Sequence, residues 1–255
     1  MKISVFLVHK DVSCWNFEAP HLKKLHSAFP GCEIENCKNE KEFTRSLHDT
    51  EIALIWNFKQ DWFDFSPCLK KIVTPAAGRD YFHVTPPEGV KIEYSSFHGR
   101  IIGETILAMI LSHSRGILRA YNLQTKTPWP GKELSKSMRL LNSSTVTILG
   151  FGNIGVWAGR FLKPLGSRII GIKRKPTTQP EYFTKTDRIL DLKDLDSVLP
   201  ETDHLVLCLP GGEETKMIIN EKRLSLLREN SAIYNLGRGN SIDEKALSKA
   251  LKTKK

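Results

Sequence analysis

The residues best placed by type and spacing to do chemistry are Gly150, Gly152 and Gly155, in the stretch GFGNIG. The stretch follows an apolar run typical of a buried strand and opens a segment whose apolar residues recur at helical spacing. In that setting the first glycine makes a tight turn, the second lets a pyrophosphate approach the backbone, and the third lets helix and strand pack closely. The amides of Asn153 and Ile154 would point at the phosphates from the start of the helix. The pattern predicts a dinucleotide site, with a ligand-free turn as the alternative.

The end of the next predicted strand indicates which dinucleotide would bind. A carboxylate there accepts a hydrogen bond from the 2′-hydroxyl of the adenine ribose, whereas a 2′-phosphate needs cations. The sequence at this point is GIKRKP, which places Lys173, Arg174 and Lys175 where an acid would stand. Arg174 can bind a phosphate through two parallel hydrogen bonds. The run therefore favours NADP(H) over NAD(H); a solvated charge run before a proline-containing loop is the alternative.

The elements that position these residues follow one repeating pattern. Short apolar runs alternate with helical stretches from Lys2 to about Gly103, and the alternation restarts at Thr145. Strands that alternate with helices imply parallel sheets with helices on both faces, the α/β fold class. Between the two parts, apolar spacing predicts one long helix from Glu104 to about Leu123. Ser241 and Glu244, three residues apart, predict a capping box for the last helix.

Composition narrows the class of protein. The chain has 255 residues, of which 40% are hydrophobic and 26% charged, an ordinary balance for a folded α/β protein. Its five cysteines form no CxxC pair and have no histidine at ligand spacing, so neither a disulfide framework nor a metal site is predicted. No apolar run is long enough to span a membrane, and the first residues lack a signal-peptide cleavage site. We expect a cytoplasmic protein with no membrane partner.

The formal net charge of +10 raises the alternative of nucleic-acid binding. The basic residues are spread along the chain, however, without an aromatic-interleaved stripe or a base-reading motif. A basic cleft for a small anionic ligand explains the charge as well. We therefore expect no nucleic-acid partner.

Several motifs together resemble the D-isomer-specific 2-hydroxyacid dehydrogenases, the family that includes glyoxylate and hydroxypyruvate reductases. The most specific is INEKRLSLLRENSAIYNLGRGNSIDEKAL, because it fixes both an arginine-bearing turn and the helix after it. The other matching stretches are GFGNIG, LCLPGGEET and, more loosely, TPAAGRDYF and FHGRIIGE.

The resemblance implies a Rossmann-type, doubly wound parallel sheet inserted in a smaller, flavodoxin-like α/β substrate domain. Residues 1–103 would form the substrate domain and residues 104–255 the dinucleotide-binding domain. It implies an NAD(P)-dependent oxidoreductase that transfers a hydride to a small 2-ketoacid, of the glyoxylate or hydroxypyruvate type, and yields the D-2-hydroxyacid. It also implies a homodimer formed through the region of the long helix.

The resemblance assigns site residues as well. Arg238, in the turn NLGRG, would bind the substrate carboxylate and polarise the keto oxygen, and a fixed guanidinium does stabilise charge that develops on such an oxygen. Capping of a strand end is the alternative for this arginine. The amides around Ala77 and Gly78 would hold the substrate carboxylate from the other domain. The positions implied to line the nicotinamide side are Pro210, Thr215, Leu236 and Gly237.

The family pattern also requires a proton donor, a histidine paired with a carboxylate, beyond the last predicted helix. Neither residue is found in a matching motif, and both domains would lack their C-terminal parts. We therefore expect a fragment of a longer reductase, with Ala232–Leu236 as an uncovered sheet edge. A non-catalytic nucleotide-binding regulator of the same fold is the alternative. Of the eight histidines, His98 is the best candidate for a substitute proton donor.

Overall fold

The computed structural model describes residues 1–127, 129–135, 138–175 and 178–253. The chain forms two compact units, Met1–Ser96 and Phe97–Lys255. The division lies before Phe97, earlier than the boundary expected after Gly103, because a helix begins at His98 and packs within the second unit.

The first unit is built on a parallel sheet of five strands. Its strands are β1 (Lys2–Phe6), β2 (Glu33–Asn36), β3 (Ile52–Ile55), β4 (Lys71–Thr74) and β5 (Lys91–Tyr94), and its helices are α1 (Ala19–Ala28) and α2 (Glu40–Ser46). The strand order β2-β1-β3-β4-β5 is that of the flavodoxin-like sheet, as predicted. Separate clusters of apolar side chains cover it, one around Val5 and one around Phe43.

The second unit contains another parallel sheet of five strands. Its strands are β6 (Thr145–Leu149), β7 (Arg168–Ile172), β8 (Arg188–Leu190), β9 (His204–Leu207) and β10 (Ala232–Asn235). Its helices are α3 (His98–Ser114), α4 (Ile117–Leu123), α5 (Gly131–Ser135), α6 (Asn153–Leu162), α7 (Leu195–Val198), α8 (Glu221–Leu226) and α9 (Glu244–Lys252).

The order in this sheet is β10-β9-β6-β7-β8, which is the Rossmann order when the strands are counted from β6. The predicted α/β fold class is thus confirmed in both sheets. Consecutive residues of one strand enter opposite cores: Leu205 lies in the cluster around Leu224, and Val206 lies in the cluster around Ile106. Burial on both faces explains why these strands are continuous apolar runs.

The long helix predicted from Glu104 to Leu123 is two helices. Helix α3 ends at Ser114, and α4 begins after Gly116, whose φ of 63° lies in the left-handed region. The chain bends by 56° at this break. Glycine adopts this conformation without steric cost, so the break has a local cause. Within the described ranges, neither helix is by itself long and apolar enough to cross a membrane, and only the bent pair meets that criterion.

The start of the last helix differs from the prediction. Asp243, rather than Ser241, is the N-cap of α9, and its side chain accepts a hydrogen bond from the amide of Ala246 at 3.0 Å. The hydroxyl of Ser241 instead donates to the carbonyl of Arg238 at 2.7 Å. The predicted capping box is therefore wrong, because Ser241 closes the turn that precedes the helix.

Candidate functional site

Most of the residues singled out by sequence lie at one edge of the second sheet. All five strands of this sheet are parallel, so their carboxyl ends meet at a single edge. We call it the carboxyl edge and the opposite side the amino edge. The turns that leave four strands at the carboxyl edge carry the predicted residues: Gly150, Gly152, Asn153, Ile154 and Gly155 after β6, Lys173, Arg174 and Lys175 after β7, Pro210 and Thr215 after β9, and Leu236, Gly237 and Arg238 after β10.

Two of the three glycines are required by packing. Gly150 has a φ of 96°, and a Cβ atom there would lie 2.6 Å from the carbonyl oxygen of Cys208. A Cβ atom on Gly155 would lie 2.8 Å from the carbonyl oxygen of Gly150. The first glycine therefore makes the turn, and the third allows α6 to approach the strand, as the pattern requires.

Gly152 differs, because a Cβ atom built on it would meet nothing within 4 Å. It is the N-cap of α6, and its φ of −93° is accessible to any residue. In the described part of the chain, the amides of Ile154 and Gly155 have no hydrogen-bond acceptor. Open space beside unpaired amides at a helix N-terminus fits a phosphate group. The turn is therefore sterically and electrostatically suited to a dinucleotide.

The basic run after β7 has an acidic neighbour that its own sequence does not reveal. The Arg174 guanidinium bonds to the carboxylate of Glu214 at 2.7 Å, across 40 residues of chain. The side chains of Lys173 and Lys175 form no ion pair with any residue that the structure describes. A carboxylate from the turn after β9 thus approaches the run of cations from which sequence analysis inferred a carboxylate-free site.

The arginine-bearing turn is held by the side chain of Asn235. Its amide nitrogen donates to the carbonyl of Arg238 at 3.0 Å, and its carbonyl oxygen accepts from the amide of Gly237, also at 3.0 Å. A Cβ atom on Gly237 would lie 2.5 Å from the carbonyl oxygen of Leu209, so this turn packs on the one after β9. Arg238 itself is half-buried, in extended backbone. The turn therefore fixes the base of the arginine side chain.

The turn after β9 folds back on itself. The Thr215 hydroxyl is in bonding distance of two carbonyls, that of Pro210 at 2.9 Å and that of Gly212 at 3.1 Å. Thr215 is buried, and Gly212 has a φ of 156°, which few other residues adopt. This closed turn brings Pro210 and Glu214 to the same carboxyl edge.

Ala77 and Gly78 lie in the first unit, in the loop that follows β4. The Thr74 hydroxyl donates to the carbonyl of Trp56 at 3.3 Å and accepts from the amide of Ala76 at 3.2 Å, which fixes the start of this loop. Over the described ranges, the amides of Ala77 and Gly78 have no acceptor. They are able to donate to a carboxylate.

The histidines of the second unit lie at different places. His98 is the first residue of α3, and its neighbour Gly99 packs on the side chain of Asn153 beside the glycine-rich turn. Burial lowers the pKa of His98, and its Nδ1 is buried with no partner among the described residues. His113 and His204 instead line a pocket of about 390 Å³ at the amino edge. His204 is buried there with its Nδ1 3.1 Å from the Tyr234 hydroxyl, so a structural role accounts for it.

Comparison with known proteins agrees with this geometry. Residues 107–255 match the family model described as D-isomer specific 2-hydroxyacid dehydrogenase, NAD binding domain. A glyoxylate reductase of Thermococcus kodakarensis is 28% identical over 238 residues, which is 86% of this chain and 70% of the relative. A hydroxypyruvate reductase of Thermotoga maritima is 32% identical over 146 residues, covering 57% of this chain and 45% of the relative.

A solved structure is similar over nearly the whole chain. An NADPH-dependent glyoxylate/hydroxypyruvate reductase of Sinorhizobium meliloti, in complex with NADP and sulfate, superposes with a TM-score of 0.75 at 26% identity, covering 99% of this chain and 77% of that one. The matching family domain binds a nicotinamide dinucleotide, and the glycine-rich turn described above fits one. This chain belongs to the D-isomer-specific 2-hydroxyacid dehydrogenase family, a family of nicotinamide-dependent oxidoreductases.

Proposed function

We propose that this chain binds NADP(H) in preference to NAD(H) and provides cofactor- and substrate-binding residues for the reduction of a small 2-ketoacid, of the glyoxylate or hydroxypyruvate type, to its D-2-hydroxyacid. The observation that carries the proposal is the open face of Gly152, beside unpaired amides and at the same sheet edge as the turn of Arg238. The named activities of the Thermococcus, Thermotoga and Sinorhizobium relatives support the substrate class.

In this proposal the second unit holds the cofactor. The amides of Asn153 and Ile154 bind the pyrophosphate, because they lie at the positive end of α6. The cations that bind the ribose 2′-phosphate are Lys173, Arg174 and Lys175, and the nicotinamide is flanked by Pro210, Thr215, Leu236 and Gly237. When bound, the reduced nicotinamide would supply a hydride to the keto carbon of the substrate, and a proton from solvent water would complete the hydroxyl group.

Arg238 is the proposed catalytic residue and also binds the substrate. Its guanidinium pairs with the substrate carboxylate and stabilises the negative charge that forms on the keto oxygen. The amides of Ala77 and Gly78, which have no acceptor among the described residues, are also proposed to bind substrate. The Asn235 bonds that hold the turn limit the movement of the arginine backbone, which supports a fixed position for this charge.

A second candidate is a nucleotide-binding regulator of the same fold. The observation that favours it is the pKa of His98, the histidine beside the glycine-rich turn, which burial lowers. A lowered pKa leaves the imidazole neutral near pH 7 and makes it a poor proton donor. Binding of NADPH without turnover would select this function.

We also propose a homodimer. The apolar side chains exposed on α3 and α4 support it, because a surface of this kind is costly to leave in water. They are Ile101, Met109, Ile117, Leu118 and Tyr121. The mass of the chain in solution tests this assembly.

The enzymatic proposal is tested by substitution of Arg238. Arg238→Gln should lower kcat/KM for glyoxylate about a thousandfold, because it removes the charge that stabilises the transition state. Affinity for NADPH, followed by nicotinamide fluorescence, should change by less than about twofold. Arg238→Lys is the matched control, since it keeps the charge without the planar guanidinium. Its kcat/KM should lie between those of Arg238→Gln and the unmodified chain. Equal turnover by Arg238→Gln and the unmodified chain would contradict the proposal.

A further inference from the structure

The ion pair between Arg174 and Glu214 joins two turns that are not neighbours in the sheet. Arg174 follows β7, and Glu214 lies in the turn after β9, with β6 between these two strands. The glycine-rich turn follows β6, so the pair links the turns on either side of it. The nitrogen–oxygen distance is 2.7 Å, and both side chains are exposed, at 68% and 63%. A ligand from solvent therefore has access to either group.

The pair changes the electrostatics of the basic run. A guanidinium bonded to a carboxylate is partly neutralised, and an incoming phosphate has to displace the carboxylate from Nη1 if it is to bind through that nitrogen. A carboxylate beside the ribose also supplies the acceptor that an unphosphorylated 2′-hydroxyl requires. The same residue thus disfavours one cofactor and favours the other.

We propose that Glu214 is a specificity-determining residue for the cofactor: its carboxylate competes with the 2′-phosphate of NADP(H) for Arg174 and accepts a hydrogen bond from the 2′-hydroxyl of NAD(H). This inference rests on the proposed dinucleotide site. It predicts a protein whose preference for NADP(H) is weaker than the run of three cations indicates.

Neighbouring charges make the assignment specific to Glu214. The adjacent acid, Glu213, has its carboxylate 3.4 Å from Lys216 and is 89% exposed, with no bond to the basic run. Among the ion pairs of the described residues, Glu214 is the carboxylate that contacts the guanidinium of Arg174. Glu213 and Glu214 therefore carry the same charge on the same turn but differ in partner, which makes Glu213 a matched control.

The test measures dissociation constants for NADPH and NADH, by nicotinamide fluorescence, on the full chain and its variants. Glu214→Gln should tighten NADPH binding about fivefold, a modest factor because exposed ion pairs are weak. NADH binding should be unchanged or weaker, since the glutamine keeps an oxygen but loses the charge. Glu213→Gln alters the net charge equally and should leave the ratio of the two constants within about twofold.

A double-mutant cycle separates the direct contact from a general field effect. In an Arg174→Gln background, Glu214→Gln should no longer tighten NADPH binding, because the group that its carboxylate competes for is absent. An equal response to Glu213→Gln and Glu214→Gln, or a tightening of NADPH binding that persists without Arg174, would overturn the inference. If the unmodified chain binds both nucleotides and Glu214→Gln leaves the ratio unchanged, only this inference fails. If the unmodified chain binds neither nucleotide, the proposed function fails together with it.

Discussion

Polar groups at the two edges of the second sheet differ in their hydrogen-bond partners. At the carboxyl edge, the turns carry glycines, amides without acceptors and exposed cations. At the amino edge, the carboxylates of Asp187 and Asp203 instead bind amides and cations of the protein itself. The same strands end at both edges, so the difference comes from the turns and not from the sheet.

Asp187 and Asp203 illustrate the amino edge. The buried carboxylate of Asp187 accepts from the amide of Ile169 at 2.8 Å and pairs with Lys163 at 2.7 Å. Asp203 accepts from the amide of Thr145 at 2.8 Å. Each carboxylate satisfies one amide near the start of a strand, because Thr145 is the first residue of β6 and Ile169 is the second of β7. A polar group that finds its partner within the protein holds the fold.

The carboxyl edge lacks such internal partners at the glycine-rich turn. The amides of Ile154 and Gly155 are the counterparts of the strand amides that Asp187 and Asp203 satisfy, and no carboxylate in the described residues binds them. A helix N-terminus left in this way is available to an anion from solvent. Comparison of the two edges thus separates structural polar groups from candidate binding groups in one domain.

Loss of the Asp187 carboxylate is expected to destabilise the protein strongly. Burial raises the pKa of this carboxyl, but the hydrogen bonds from Ile169, Lys163 and Thr184 outweigh burial and lower it. Asp187→Ala leaves Lys163 without its ion pair and the amides of Ile169 and Thr184 without an acceptor, and should reduce the free energy of unfolding by about 4 kcal/mol. Urea unfolding measures this loss, and NADPH affinity of the folded protein should be unchanged.

The control for Asp187 is Glu221, an exposed acid that pairs with Lys249 at 2.7 Å. Glu221→Ala should cost far less, because solvent already screens that pair. An equal loss in the two variants would mean that Asp187 is not the structural anchor inferred here.

The next effect concerns pH and His204. Burial, together with the neighbouring His113, lowers the pKa of His204 from 6.5 to about 4, whereas Asp203 acts in the opposite direction. Between these values the unfolded chain binds the proton and the folded chain does not, so stability should fall as the pH falls from 6.5 to 4. The loss of stability caused by His204 should reach about 3 kcal/mol near pH 4 and vanish above pH 6.5.

Urea unfolding at several pH values tests this dependence on the unmodified chain and on His204→Phe. The variant loses the bond to Tyr234 and is expected to be less stable at neutral pH. Its stability should nevertheless decline less steeply between pH 6.5 and 4, because the titrating group is gone. Parallel curves would show that other groups account for the acid sensitivity.

Local patterns predicted much of this molecule. Both sheets, most of their parallel strands and the turn at Gly150 follow from apolar runs and glycines close together in sequence, whereas β8, three residues long, was not predicted. The break at Gly116 was missed because apolar spacing continues through it, whereas a single left-handed residue ends the helix. Ser241 and Asp243 are both residue types that commonly cap a helix N-terminus. Only the path of the backbone determines that Asp243 is the N-cap of α9.

The contact between Arg174 and Glu214 could not be predicted from local sequence patterns, for a different reason. The two residues are 40 positions apart in sequence. They meet because β7 and β9 both lie next to β6 in the sheet, so the turns that follow them are close in space. Strand order is a property of the whole domain, so a charge read from one turn gives only part of the electrostatics of a site. The proposed roles of Ala77, Gly78 and Arg238 stay predictions.

The most direct test of the central claim is an NADPH titration, by nicotinamide fluorescence, of the 255-residue chain and of Gly152→Ala. The added methyl group has space and an allowed φ, so the fold should keep its stability within about 1 kcal/mol. That methyl group would occupy the proposed phosphate position, and affinity should fall at least about tenfold. Gly150→Ala is the contrasting variant, which should lose stability because of its φ of 96° and the contact with Cys208. NADPH binding by the unmodified chain that Gly152→Ala weakens at least about tenfold is the predicted result. No binding by the unmodified chain, or equal binding by both, would contradict the proposed site.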